Sequence, residues 1–138
     1  DYDNLKLVYA IRGSRGPVVI REAAERIVAW APSLGIKEVI ASLSKSHVGW
    51  KDVVTEEELR IFTEIMTEAG ITVSLHEELG DAIAQGLDQV GKGDVLMLAG
   101  CQGMDYGAKV CLEQIHTRRP DLSTEQLYAP LRNRVAGV

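Results

Sequence analysis

The stretch GDVLMLAGCQGMDYG, residues 93–107, passes from a charged start through an unbroken apolar run, Asp94 to Ala99, into a loop that carries Gly100, Gly103 and Gly107. A short run of Val, Leu and Met ended by glycine reads as a strand buried on both faces. Helical spacing follows it, from about Tyr106 to Ile115. One strand feeding one helix through a glycine-rich turn is the unit, and the rest of the chain repeats it.

Leu5 to Ile11, Ile36 to Ser42 and Ile71 to Leu75 are three further apolar runs ended by glycine, serine or a polar cluster. Between them Ile20, Ala23, Ala24, Ile27, Ala31 and Leu34 form one stripe, and Leu59, Phe62, Met66 and Ala69 another. Spacings of three and four place each stripe on one helix face. A third helix is expected over Glu78 to Val90, with Ala82, Ile83, Leu87 and Val90 inward. Pro17 suits a first helical turn, Gly35 and Gly70 suit helix ends, and Thr55/Glu58 and Ser123/Gln126 read as capping boxes. Four strand–helix units predict an α/β fold: a Rossmann-like, doubly wound, mostly parallel sheet with helices on both faces, a three-layer α/β/α sandwich. Residues 1–138 are expected to form one domain, with 117–138 as a tail helix docked on it.

A chain of 138 residues that is 46% hydrophobic and 25% charged fits one domain with a sizeable core. Its net charge of −5, with the charges scattered, argues against nucleic acid or an anionic membrane as partner. Cys101 and Cys111 follow neither a CxxC nor a secreted disulfide pattern, which points to a reducing, cytoplasmic setting with both as small buried thiols. No apolar run of about 18 residues and no signal-peptide pattern occurs. The chain opens at Asp1 instead of methionine, so further coding sequence is expected upstream.

In an open α/β sheet, ligands bind beyond the carboxyl ends of the strands. Four loops lie there. The first, Arg12-Gly13-Ser14-Arg15-Gly16-Pro17, offers glycines that admit a ligand and two arginines suited to a carboxylate or phosphate, or else is a tight turn with solvated arginines. The second, Leu43 to Val54, is longer than a turn requires and carries Ser44, Lys45, His47 and Trp50. It either recognises something or packs Trp50 and Val48 onto the domain. The third is His76-Glu77-Glu78. In the fourth, Gln102 and Asp105 could bond a polar ligand, with capping the simpler role for Asp105. Trp30 is read as core or inter-domain packing. His47, His76 and His116 lack metal spacing, so no structural metal is expected. Neither G-x-G-x-x-G nor G-x-x-x-x-G-K-[ST] occurs, which disfavours a Rossmann dehydrogenase or a self-sufficient nucleotidase.

Ile11-Arg12-Gly13-Ser14-Arg15-Gly16 after the first strand, followed by Gly93 to Gly100 and its glycine-rich continuation, resembles the C-terminal domain of the Mur ligase family over roughly residues 5–116. That family comprises ATP-dependent amide ligases of peptidoglycan-precursor synthesis and folylpolyglutamate synthases. The resemblance implies a substrate-positioning domain that delivers an amino-acid-like acceptor and closes over ATP. An upstream ATPase domain would hold ATP and Mg²⁺, and an upstream UDP-sugar-binding domain would hold the other substrate. The isolated chain is then expected to bind no cofactor and to be inactive. Arg15 matches the arginine of the family's G-x-x-R loop, which grips the acceptor carboxylate. The implied acceptor contacts are Arg12, Arg15, Ser44, Lys45, His47, Gln102 and Asp105, with Gly13, Gly16, Gly100 and Gly103 supplying the backbone turns. Ser42 to His47 stands where diaminopimelate-adding members carry D-N-P-R, so another acceptor is expected. A stand-alone binding module for a nucleotide or small anion, or a protein-interaction domain using Trp50, are the alternatives.

Overall fold

The computed structural model describes residues 1–132. Four strands, β1 (Leu5–Ala10), β2 (Glu38–Ser42), β3 (Thr72–His76) and β4 (Val95–Gly100), form one sheet in the order β3-β2-β1-β4. All three pairings are parallel, with Tyr9 opposite Ala41 on one side and Ala99 on the other. Helices α1 (Pro17–Leu34), α2 (Glu56–Glu68), α3 (Leu79–Gln89) and α4 (Gly107–Arg118) follow their strands in turn. The three-layer α/β/α reading of the sequence holds.

Strand alternation splits the core. Leu7, Val39 and Ala41 face α1 and α2, where they pack on Ile20, Ala24, Ile61, Phe62 and Met66. Val8 and Ile40 face the other way, onto Leu79, Ala82 and Ile83 of α3, with Val110 and Cys111 of α4 alongside. Tyr9 stacks on the fully buried Phe62 ring at 5.7 Å between centroids. α1 starts with Pro17 in its first turn and ends at Gly35 in the left-handed conformation. Thr55 accepts the Glu58 N–H as an N-cap. The reciprocal half of that expected box is missing, because the Glu58 carboxylate turns to the β1–α1 loop instead. Ser123 and Gln126 form the full box at the start of α5 (Thr124–Tyr128).

Two expectations need correction. β4 is an edge strand, and on its α1 face no helix covers it, so Val95 and Met97 are exposed instead of doubly buried. Beside them Trp30, 64% exposed, lines a groove of about 330 Å³ with Leu7, Tyr9 and Met97 and is not core. α5 and the turn after it neighbour α4, where Leu127, Pro130 and Leu131 line a cavity of about 160 Å³ with Ala108, Cys111 and Leu112. The remainder of the tail, 133–138, lies outside the described residues. Among the described residues no helix is long and apolar enough to cross a membrane.

Candidate functional site

The strand order makes the chain run outward from β1 to β2 and β3 on one side, and places β4 on the other. α1 leaves β1 toward one face of the sheet and α4 leaves β4 toward the opposite face. The β1–α1 and β4–α4 loops therefore diverge, and the crevice between them is the topological switch point at which doubly wound sheets bind ligands. The β2–α2 loop, with 3₁₀ turns at Lys45–His47 and Trp50–Asp52, closes over its rim.

Close backbone approach builds this rim. A Cβ on Gly13 would stand 2.3 Å from the Val53 carbonyl carbon, so the first and second loops touch main chain to main chain. A Cβ on Gly103 would meet the Ser44 side chain at 3.0 Å and one on Gly100 the Ala10 carbonyl oxygen at 2.7 Å, which seats the fourth loop equally tightly. Gly16 is different: it caps α1 at φ +87° with open space around it, so it is required by backbone conformation alone. Ser14 is also left-handed, at φ 54°, and is pinned there by two bonds. Its N–H donates to the buried Glu58 carboxylate at 2.9 Å and its hydroxyl to the Val53 carbonyl at 2.6 Å.

The residues singled out from sequence divide into those already engaged and those left free. Arg15 is engaged: its Nη2 donates to Asp52 Oδ1 at 2.6 Å, clasping the first loop to the second. Lys45 pairs with Glu77 at 2.8 Å, and the backbone N–H of Ser46 donates to Glu78 Oε2, clasping the second loop to the third. Ser44 is buried at φ 50°, its hydroxyl 2.8 Å from that of Ser42, so it shapes the loop and presents nothing to a ligand in this state. Gln102 lies half-buried in the 3₁₀ turn Gln102–Met104 and Asp105 is exposed. Asp105 does not cap α4, whose N-cap is Tyr106 without a side-chain bond, contrary to the simpler expectation.

Arg12 and His47 are the exceptions. Arg12 Nε and His47 Nδ1 are buried nitrogen atoms without a hydrogen-bond partner. Buried polar atoms are nearly always paired, because an unpaired one costs about 1–3 kcal/mol. Arg12 sits where β1 meets the crevice, near Tyr9 and Cys101: burial pushes the Tyr9 phenol up, the Cys101 thiol adds to the rise and the Arg12 guanidinium opposes it. His47 reaches across to the fourth loop, its ring 5.7 Å from that of Tyr106. The two free nitrogens thus come from the first and second of the carboxyl-edge loops, and the His47 ring also reaches Tyr106 beside the fourth. Arg12, not Arg15, is the arginine left available.

The cysteines part company. Cys101 is exposed at the mouth of the crevice, not buried as expected, while Cys111 is half-buried under the tail, where burial pushes its thiol up. Trp50 is 82% exposed with the Lys51 ammonium 5.4 Å from its ring, so it does not pack down on the domain. His76 bonds Gln85 and His116 bonds the Leu122 carbonyl, which accounts for both as structural. A scan against protein-family models and a search of curated proteins return no match to this chain.

Proposed function

We propose that the switch-point crevice binds a carboxylate, and that the chain is the acceptor-positioning domain of an ATP-dependent amide-bond-forming ligase of the Mur type. The observation that carries the reading is a pair of unpartnered buried nitrogens at the carboxyl edge of the sheet, Arg12 Nε in the β1–α1 loop and His47 Nδ1 in the β2–α2 loop. A carboxylate between them would accept from the Arg12 Nε–H and from the His47 ring in the tautomer that carries its proton on Nδ1. The resemblance of Ile11 to Gly16 and Gly93 to Gly100 to that family supplies the reaction class.

Among the described residues no group of three or more His, Cys, Asp or Glu side chains could hold a metal ion, and the sequence has no phosphate-loop lysine motif. In this reading an upstream ATPase domain holds ATP and Mg²⁺, a UDP-sugar-binding domain holds the second substrate, and this domain contributes position only. Two unpaired thiols suit a cytoplasmic setting for it.

The test is a nuclear-magnetic-resonance titration of the chain with glycine, acetate and inorganic phosphate, on the wild type and on Arg12→Gln. Binding that shifts the Arg12 and His47 amides and weakens roughly 10–100-fold in Arg12→Gln supports the reading, since a hydrogen bond to a charge contributes about 1.5–3 kcal/mol. No response to any carboxylate overturns it. A response to phosphate alone would favour a nucleotide- or anion-binding module. The exposure of Trp50 favours one other reading, a protein-docking domain, for which Trp50 fluorescence would respond to a protein and not to these anions.

A further inference from the structure

Strand β4 carries a row of backbone groups without a sheet partner. The Val95 N–H donates to the Asn4 carbonyl at 2.8 Å, so Val95, Met97 and Ala99 aim their backbone groups at β1. By strand alternation the N–H and C=O groups of Leu96 and Leu98 aim the other way, where no strand lies among the described residues. Apolar surface flanks this rim on both faces of the sheet. On the α1 face Val95 and Met97 are exposed, and Trp30 lines the groove of about 330 Å³ beside them. On the α4 face Leu98 borders the cavity of about 160 Å³ shared with Leu112, Leu127 and Leu131. Exposed edge strands are ordinarily guarded by charge or proline, and between Asp94 and Asp105 the chain has neither. The opposite edge is polar by contrast: Ser74 and His76 of β3 bond Glu38 and Gln85.

We infer that a second copy of this chain covers the rim, pairing β4 with β4 in antiparallel across a two-fold axis and joining the two sheets into one. A strand lying there borders apolar surface on both faces, so it must be uncharged and apolar on both. The run Val95 to Ala99 is such a strand, with Val95 and Met97 on one face and Leu96 and Leu98 on the other. In the register that uses its whole length, Met97 opposes the partner subunit's Met97 across the axis. Leu96 then exchanges both backbone bonds with the partner subunit's Leu98, and the symmetry-related pair does the same. Asp94 falls opposite the partner subunit's Gly100, so no like charges meet along the strand. The axis keeps both α1 helices on one face, and the two Trp30 indoles approach it above the paired methionines. Trp30, Val95, Met97 and the strand rim of two copies cover on the order of 1,000 Å² in total, the small end of specific interfaces, which sets a weak, micromolar dimer.

Sedimentation equilibrium tests the pairing, with a weight-average mass expected to rise from one chain to two across the micromolar range. Met97→Lys sets two ammonium groups against each other at the axis and should weaken association roughly tenfold or more. Leu75→Lys, at an exposed position on the opposite edge, should leave it unchanged, and circular dichroism checks that both variants fold. Cross-linking reads the register in a Cys101→Ser background, which removes the exposed thiol. Met97→Cys there places two thiols across a non-hydrogen-bonded pair with Cα atoms about 4.5 Å apart, within disulfide reach, so a glutathione buffer should give a covalent dimer. Val95→Cys opposes the partner subunit's Ala99, which leaves its two thiols roughly 14 Å apart along the strand and unlinked. Association that survives Met97→Lys, or equal cross-linking by Met97→Cys and Val95→Cys, overturns the pairing. So does a chain that stays monomeric at every concentration, an outcome that would assign the rim to a strand of another polypeptide.

Discussion

Gly13→Ala tests whether the candidate site depends on main-chain contact between its first two loops. The added methyl would lie 2.3 Å from both the Val53 carbonyl carbon and the Val54 nitrogen, and 2.4 Å from the Val53 oxygen. These are backbone atoms, which cannot swing aside as a flexible side chain can. Restoring an ordinary contact requires the loops to part by about 1 Å, which is the scale at which overpacking costs about 1–3 kcal/mol. The same retreat pulls the Val53 carbonyl from the Ser14 hydroxyl at 2.6 Å and disturbs the Ser14 N–H to Glu58 bond at 2.9 Å. Loss of the first adds about 1 kcal/mol, and more if the buried Glu58 carboxylate loses its donor. We expect a total near 3 kcal/mol and a Tm lowered by roughly 10 °C for a domain of this size. Urea unfolding followed by circular dichroism measures it. Gly49→Ala, with open space and no left-handed backbone, is the internal control and should stay within about 0.5 kcal/mol. A Gly13→Ala protein as stable as the Gly49→Ala protein would refute the close-contact argument.

Phe62→Ala should cost about 3–5 kcal/mol in urea unfolding, because the ring is fully buried and stacked on Tyr9. Iodoacetamide should label one thiol in the native protein, the exposed Cys101, with Cys111 reacting only on unfolding, since burial raises its thiol; peptide mass spectrometry reads the sites, and equal labelling would contradict the half-buried position under the tail. The Gly91 N–H and the Asn4 side chain hold the Asp94 carboxyl below its ordinary value. A depressed carboxyl contributes stability above its unfolded pKa of about 3.9 and loses it as pH falls through the folded value. Asp94→Asn should therefore flatten the acid limb of stability against pH below about pH 4 and be seen in urea midpoints, a flattening that an unlinked carboxyl would not produce.

The fold was legible because its signals are local. Each strand is a dense apolar run, each helix keeps its stripe, and Pro17, Gly35 and the Ser123/Gln126 box stand where punctuation predicts. What local pattern could not supply is the order of strands. The run Val95 to Ala99 looks like a central strand, yet the order β3-β2-β1-β4 leaves it at an edge. Burial on both faces is a property of neighbours. For the same reason Trp30, spaced near the inward stripe of α1, points past the last covered strand and lines a groove instead of the core.

The candidate site was legible as loops and not as residues. Doubly wound topology sends ligands to the carboxyl edge whatever the sequence, so naming the four loops required only the strands. Which side chains remain free there depends on partners far along the chain. Arg12 and Arg15 sit three residues apart in one loop and have the same chemistry. Asp52, 37 residues on, engages Arg15 at 2.6 Å, whereas nothing engages Arg12 Nε. Ser44 and His47 divide in the same way, one bonded to Ser42 and the other left with a buried unpartnered nitrogen. The loops are clasped by Arg15–Asp52 and Lys45–Glu77, so the charges most conspicuous in the sequence are spent on holding the crevice open. The quieter neighbours, Arg12 and His47, are the ones left with an unpartnered nitrogen, so under the proposed carboxylate reading replacing Arg15 should weaken binding through the shape of the second loop more than through a lost ligand contact.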